Sequence, residues 1–271
     1  MSQEHLLSSP QFRPSSLTSG RCVVEVLGPA GAGKTTFVRS LRECYSPVQD
    51  QPALLWPDKV RALGSIVYEL LPGHLCTSSS SRWFNIEELR RMSYVKAWHR
   101  LLSQSSVSGG TITILDHGPI FMLGMVQEFG PQLVKSQDFA RWSESAIAAW
   151  SDALDVVLWL DAPNATLVER IGLRDHPHIV KNKPFLEAYD FFDRCRRSFG
   201  RILSEIEARS HLKVLRFDTS GLKPNEIVMQ FLQAIDAQLA TARDNTNRTS
   251  QQTLDFVQEP DNVDNSRPVQ A

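Results

Sequence analysis

"GPAGAGKTT" occupies Gly28 to Thr36, directly behind the apolar run "RCVVEVL" at residues 21–27. The spacing Gly28-x-x-x-x-Gly33-Lys34-Thr35 is that of a phosphate-binding loop, or P-loop, and it stands in the right context, after a strand-like run and before a helical one. Glycines at 28, 31 and 33 let the backbone turn tightly with its amides facing inward, and the positive end of the next helix adds to their field. Lys34 would reach the β- and γ-phosphates of a nucleotide and Thr35 would ligate Mg²⁺, with Pro29, Ala30, Ala32 and Thr36 completing the cradle. What this leaves open is where the terminal phosphate goes: to water, to a small molecule, or nowhere, the nucleotide then acting as a switch.

Three more apolar runs of strand length follow the loop: "TITIL" at 111–115, "DVVLWLD" at 155–161 and "KVLRFD" at 213–218. Their β-branched content suits strands, most of them buried on both faces. Helical patterns separate them. Phe37, Val38, Leu41, Cys44 and Tyr45 share one face after Lys34. Asn85, with Glu88 three residues on, predicts a capped helix start for the segment carrying Leu89, Met92, Trp98 and Leu102. Phe185, Tyr189, Phe192, Phe199, Leu203 and Ile206 stripe a longer helix, and Pro224 opens one with Ile227, Val228, Phe231, Ile235 and Leu239. Strands alternating with helices predict a three-layer α/β fold, a parallel sheet with helices on both sides.

The predicted domain runs from 21 to 240, between polar tails at 1–20 and 241–271 that carry too few apolar residues to order. The N-terminal tail lacks the apolar segment of a secretory signal; its serine-rich, acid-poor composition is also that of some organelle transit peptides. A net charge of -1 argues against nucleic acid as a partner. No apolar stretch approaches the roughly 20 residues that cross a bilayer. Cys22, Cys44, Cys76 and Cys195 are scattered without a CxxC pair, which fits reduced packing thiols in a cytosol. Whether the chain pairs as a homodimer is left open.

Ligands of open parallel sheets bind beyond the carboxyl ends of the strands. Asp116, in "LDHGP", ends the second long strand. A carboxylate there can organise Mg²⁺ or take a proton from an attacking hydroxyl, and Asp-x-Gly is also ordinary turn chemistry. Further on, "LDAPNATLVERIGLRDHPHIVKNK" places Arg170 and Arg174 four apart, the spacing of one helix face, before a polar stretch with His176, His178, Lys181 and Lys183. A cationic segment of this kind, about 170–184, can close over a triphosphate as a lid.

The chain resembles the nucleoside and nucleotide kinase group of P-loop proteins, most nearly its thymidylate kinase and deoxynucleoside kinase branch. The likeness rests on "GPAGAGKTT", on "ILDHGP" in place of that group's Asp-Arg or Glu-Arg strand end, and on "VVLWLDAPNATLVERIGLR" in place of its strand, helix and arginine-bearing lid. It implies ATP on Gly28 to Thr36, Asp116 as base or metal organiser with Mg²⁺, and Arg170 and Arg174 as lid arginines that act in catalysis with Lys34. It also implies an acceptor-side arginine on "IEELRRMSYVKAWHRLL", either Arg90 or Arg91. His117 departs from the pattern, standing where that group has an arginine.

These residues predict an ATP-dependent phosphotransferase acting on a small acceptor, a nucleoside or nucleoside monophosphate. Two other readings use the same loop. One is a regulatory NTPase, against which the absence of an Asn-Lys-x-Asp signature counts. The other is a kinase of a sugar, an antibiotic or a polynucleotide end, which would differ chiefly in the region 46–84. That region carries no acceptor pocket legible from its residues: Trp56 and Asp58 are its candidates, and "TSSSS" reads as a loop.

Overall fold

The computed structural model describes residues 21–76, 82–104, 111–210 and 212–237. Five strands form one sheet in the order β2-β3-β1-β4-β5. They are β1 (Cys22–Leu27), β2 (Val48–Asp50), β3 (Ile112–Asp116), β4 (Val156–Asp161) and β5 (Lys213–Asp218). Every neighbouring pair is parallel. This is the three-layer α/β arrangement expected from the alternating pattern.

β1 explains why these runs are strands. Val23 and Leu27 enter one apolar core, while Cys22, Val24 and Val26 enter the other on the opposite face. Period-two alternation with apolar residues on both sides is what a central parallel strand needs. Burying each such side chain contributes about 1.5–3 kcal/mol. The sequence reading missed β2. It has three residues, none fully buried, and it pairs only with β3 at the sheet edge, so no apolar signal marks it.

Helix α1 (Lys34–Cys44) starts straight from the glycine loop, with Gly33 at its N-cap. α2 (Trp56–Cys76) and α3 (Ile86–Gln104) follow. The predicted cap on α3 is present as a reciprocal pair: the Glu88 amide donates to Asn85 Oδ1 at 2.9 Å, and the Asn85 amide donates to Glu88 Oε2 at 2.8 Å. α4 (Pro119–Phe129) opens with proline in its first turn, and α5 (Gln137–Ala153) is capped by Ser136, whose Oγ accepts from the Phe139 amide at 3.2 Å. After β4 come α6 (Asn164–Gly172), α7 (Phe185–Glu207) and, beyond β5, α8 at 224–237.

Two details differ from the periodicity. Phe185 is 67% exposed, because it is the first residue of α7 and precedes the turn where the helix meets the core at Ala188. Arg174 shares no helix with Arg170: α6 ends at Gly172, and Arg174 lies in the connection to α7, where Gly172 and Pro177 act as stop signals. The predicted tails at 1–20 and 241–271, Leu239 and the "TSSSS" serines fall outside the described residues.

Candidate active site

The loop between β1 and α1 needs its glycines for space as well as for torsion. Gly28 has φ 142° and Gly31 φ 88°, and a Cβ on Gly28 would lie 2.0 Å from the Leu160 carbonyl oxygen. The loop is thus pressed against the end of β4. Lys34 is 8% exposed, and its Nζ donates to the main-chain oxygens of Gly28 at 2.8 Å and Pro29 at 3.1 Å. Burial pushes its pKa down to about 8; Asp116 pulls it back up, and Arg174 pushes it further down.

Asp116 ends β3 beside Val26 of β1, so the sheet itself brings it next to the loop. Its amide donates to Gln51 Oε1 at 3.0 Å. Its Oδ1 is buried and has no hydrogen-bond partner among the described residues, with His117 Nδ1 standing 3.7 Å away. His117 follows in the left-handed region, φ 57°, and its ring packs 4.4 Å from that of Phe121. Partial desolvation lowers the His117 imidazole pKa, with Lys34 and Arg91 adding to the effect and Asp116 opposing it, while 46% of the side chain stays exposed. The ring is therefore neutral at pH 7.

Two cavities meet at the loop. The first, about 410 Å³, is lined by loop residues from Pro29 to Thr35, by Arg91 of α3, by His117 and Phe121, by Arg174 and His178 of the connection after α6, and by Phe199 of α7. The second, about 330 Å³, lies across the loop among Gly31, Gly33, Thr36, Arg170, Thr219 and Pro224. Gly31, Gly33 and Arg174 border both.

The candidates named from sequence are therefore brought together, on two sides. Lys34, Thr35, His117, Arg91 and Arg174 border the first cavity, and Asp116 stands beside His117 without itself lining the wall. Arg170 borders only the second. Its guanidinium donates to Thr219 Oγ1 and to the Thr219 main-chain oxygen, both at 2.8 Å, and to the Gly31 oxygen at 3.3 Å. Both arginines on α3 pair with Glu87, Arg90 at 2.6 Å and Arg91 at 3.0 Å, but Arg90 is exposed, whereas Arg91 is 23% exposed and reaches the cavity. Trp56 and Asp58 border neither cavity.

Two features escaped the sequence reading. Asp161, at the end of β4, is gripped by Arg196 of α7 at 2.7 and 2.8 Å, and Arg196 also reaches Asp193 at 2.8 Å and the Ala162 oxygen at 2.9 Å. Glu25, in the middle of β1, is fully buried, and burial pushes its pKa up to about 8 against the pull of two amide donors. A single charged residue inside an otherwise apolar strand was the available signal for it.

No protein-family profile matches the sequence, and no curated protein does. Solved structures similar to the chain include a deoxyadenosine kinase from M. mycoides, at 11% identity over 79% of this chain and 98% of that one, TM-score 0.44. A shikimate kinase from Acinetobacter baumannii is similar at 15% identity over 82% and 96%, TM-score 0.38. Another from Bacteroides thetaiotaomicron is similar at 14% over 81% and 98%, TM-score 0.39. At such distances the chain's own residues have to carry its function.

Proposed function

We propose that the chain is an ATP-dependent phosphotransferase that moves the γ-phosphoryl group to a small acceptor, a nucleoside or nucleoside monophosphate. The observation that carries this reading is the pair of cavities joined at Gly31, Gly33 and Arg174. One cavity would take the nucleoside end of the donor. The other has room for an acceptor on the far side of the loop. A switch that only holds a nucleotide has no use for a separate acceptor space, here the first cavity, walled by Arg91, His117, Phe121 and Phe199.

Lys34, Arg174 and Arg91 are cations converging on the place where charge redistributes during in-line transfer, and such preorganised groups do most of the work in this chemistry. Lys34 must leave the Gly28 and Pro29 oxygens to meet a phosphate. Bound Mg²⁺ would neutralise phosphate charge, and the residues present fit it: Thr35 borders the cavity, and Asp116 offers a buried oxygen without a hydrogen-bond partner among the described residues. No three His, Cys, Asp or Glu side chains cluster to hold a metal among those residues, so the ion would rest largely on the nucleotide.

No described helix is long and apolar enough to cross a membrane. The free thiols of Cys22, Cys44 and Cys195 support a cytosolic location for this activity. The test is a screen of ATP consumption across nucleosides, nucleoside monophosphates and sugars, run beside a Lys34→Ala control. Acceptor-dependent consumption that the control abolishes supports transfer, whereas consumption indifferent to every acceptor marks an NTPase.

A further inference from the structure

Glu25 lies in register between Leu115 of β3 and Val157 of β4, at 0% exposure. Val23 and Leu27, its neighbours on the same face of the strand, are core residues. A carboxylate at such a position is costly unless its oxygens are met. Both are: Oε2 accepts from the Ile120 amide at 3.0 Å and Oε1 from the Phe121 amide at 2.9 Å. These amides belong to the first turn of α4, whose orphan donors need acceptors and whose dipole opposes, without cancelling, the rise in the Glu25 pKa that burial causes.

The contact joins two parts of the site. β1 runs directly into Gly28 and the loop, while α4 follows directly on the Asp116–His117 turn. Phe121 sits between them, its amide on Glu25, its ring 4.4 Å from that of His117, and the Lys34 Nζ 5.8 Å from its centroid. Gly118 closes the turn over the carboxylate so tightly that a Cβ there would lie 2.7 Å from Glu25 Cδ. An apolar residue could fill the space, but it could not hold the helix start by two directed bonds.

We propose that Glu25 is a positioning residue, which fixes the first turn of α4 and with it His117 and Asp116 against Lys34. It touches no substrate. Its effect passes through the Ile120 and Phe121 amides, and it stands on this geometry whether or not the chain transfers phosphate.

The test uses the full chain with isotope-labelled histidine, the His117 ring resonance being assigned by its loss in His117→Gln. Because that ring packs on Phe121, its Hε1 shift reports the geometry of the turn. In Glu25→Gln, which keeps the size but only one acceptor oxygen, the resonance should move toward that of an unstructured histidine. MgADP affinity should stay within about twofold, well under the tenfold that a lost charged contact of 1.4 kcal/mol would give. An unmoved resonance overturns the proposal. So does a loss of MgADP affinity beyond about tenfold, which would show general damage to the strand and loop. If Glu25→Gln does not fold, Gly118→Ala decides by the same two criteria, since it presses a methyl group onto the carboxylate from the turn side. Failure of the wild-type protein to bind MgADP would instead sink the phosphotransferase reading and leave this one standing.

Discussion

Lys34 Nζ donates to the Gly28 main-chain oxygen at 2.8 Å, so the side chain placed to meet a phosphate is folded back on its own loop. That bond, with the one to Pro29, satisfies a buried ammonium at the mouth of the cavity until an anion replaces the carbonyls.

Proton uptake should therefore accompany nucleotide binding. Burial holds the Lys34 pKa near 8 against an ordinary 10.5, so around pH 8.5 part of the population is neutral, and a bound phosphate restores the charge. Calorimetry of MgADP binding in buffers of different ionisation enthalpy should show net uptake at pH 8.5 that disappears in Lys34→Ala. The same shift makes the nucleotide-free protein more stable as pH rises from 8 to 10.5, because there the unfolded chain holds the proton more tightly. Lys34→Ala should also lower turnover by at least about a hundredfold while melting near the native temperature. Native turnover in that variant would remove Lys34 from the chemistry.

Asp116→Asn separates two roles for the carboxylate. If Asp116 organises Mg²⁺, the variant should need more of the ion and recover part of its rate when supplied with it. If it takes the proton of an acceptor hydroxyl, the loss should persist at saturating Mg²⁺ and the acidic limb of the pH-rate profile should vanish. Full activity at ordinary Mg²⁺ would leave the turn as its only task.

Arg170 and Arg174 should fail differently. Arg170→Ala removes the bonds to Thr219 and Gly31 and should cost about 1–2 kcal/mol, a Tm shift of roughly 2–8 °C, together with weaker ATP binding. Arg174→Ala, on the border of both cavities, should lower turnover more than affinity, as expected of a group that acts on charge developing in transfer. Identical behaviour of the two variants would refute the division. Thermal melts and single-turnover kinetics decide it.

Gly124→Ala tests the packing of the acceptor wall. A Cβ on Gly124 would lie 2.6 Å from Phe199 Cδ1, and Phe199 lines the first cavity. Overpacking of this kind costs about 1–3 kcal/mol. The variant should melt lower and bind acceptor more weakly, with ATP affinity held. A native melt would show that the α4–α7 contact yields easily.

Legibility followed the physics of burial. β1, β3 and β4 were readable because both of their faces are largely apolar, and the α3 cap because Asn85 and Glu88 are local in sequence. β2 was not, being three edge residues with no alternation. Arg174 was misjudged as helical because a four-residue spacing says nothing about where a helix ends. Lys34 and Thr35 could be named from the motif alone. The choice between Arg90 and Arg91 turned on which side of α3 faces the loop, and in that helix polar residues are spread around the whole circumference. Glu25 and the Asp161–Arg196 pair depend on partners far along the chain, which no local pattern shows.

The order of the sheet has a consequence for how the protein is made. β1 takes the middle place, yet among the described strands it is synthesised before the others, while its two neighbours β3 and β4 and the edge strand β5 arrive later. At about 5–20 residues per second, the nascent chain holds an apolar strand with two unpaired edges for seconds before β3 emerges. During that interval Glu25 is in water and ionised, a charge in the middle of an otherwise apolar strand. The carboxylate later buried under α4 thus places a charge inside this apolar strand while its edges are still unpaired, the kind of interruption that disfavours strand-to-strand association.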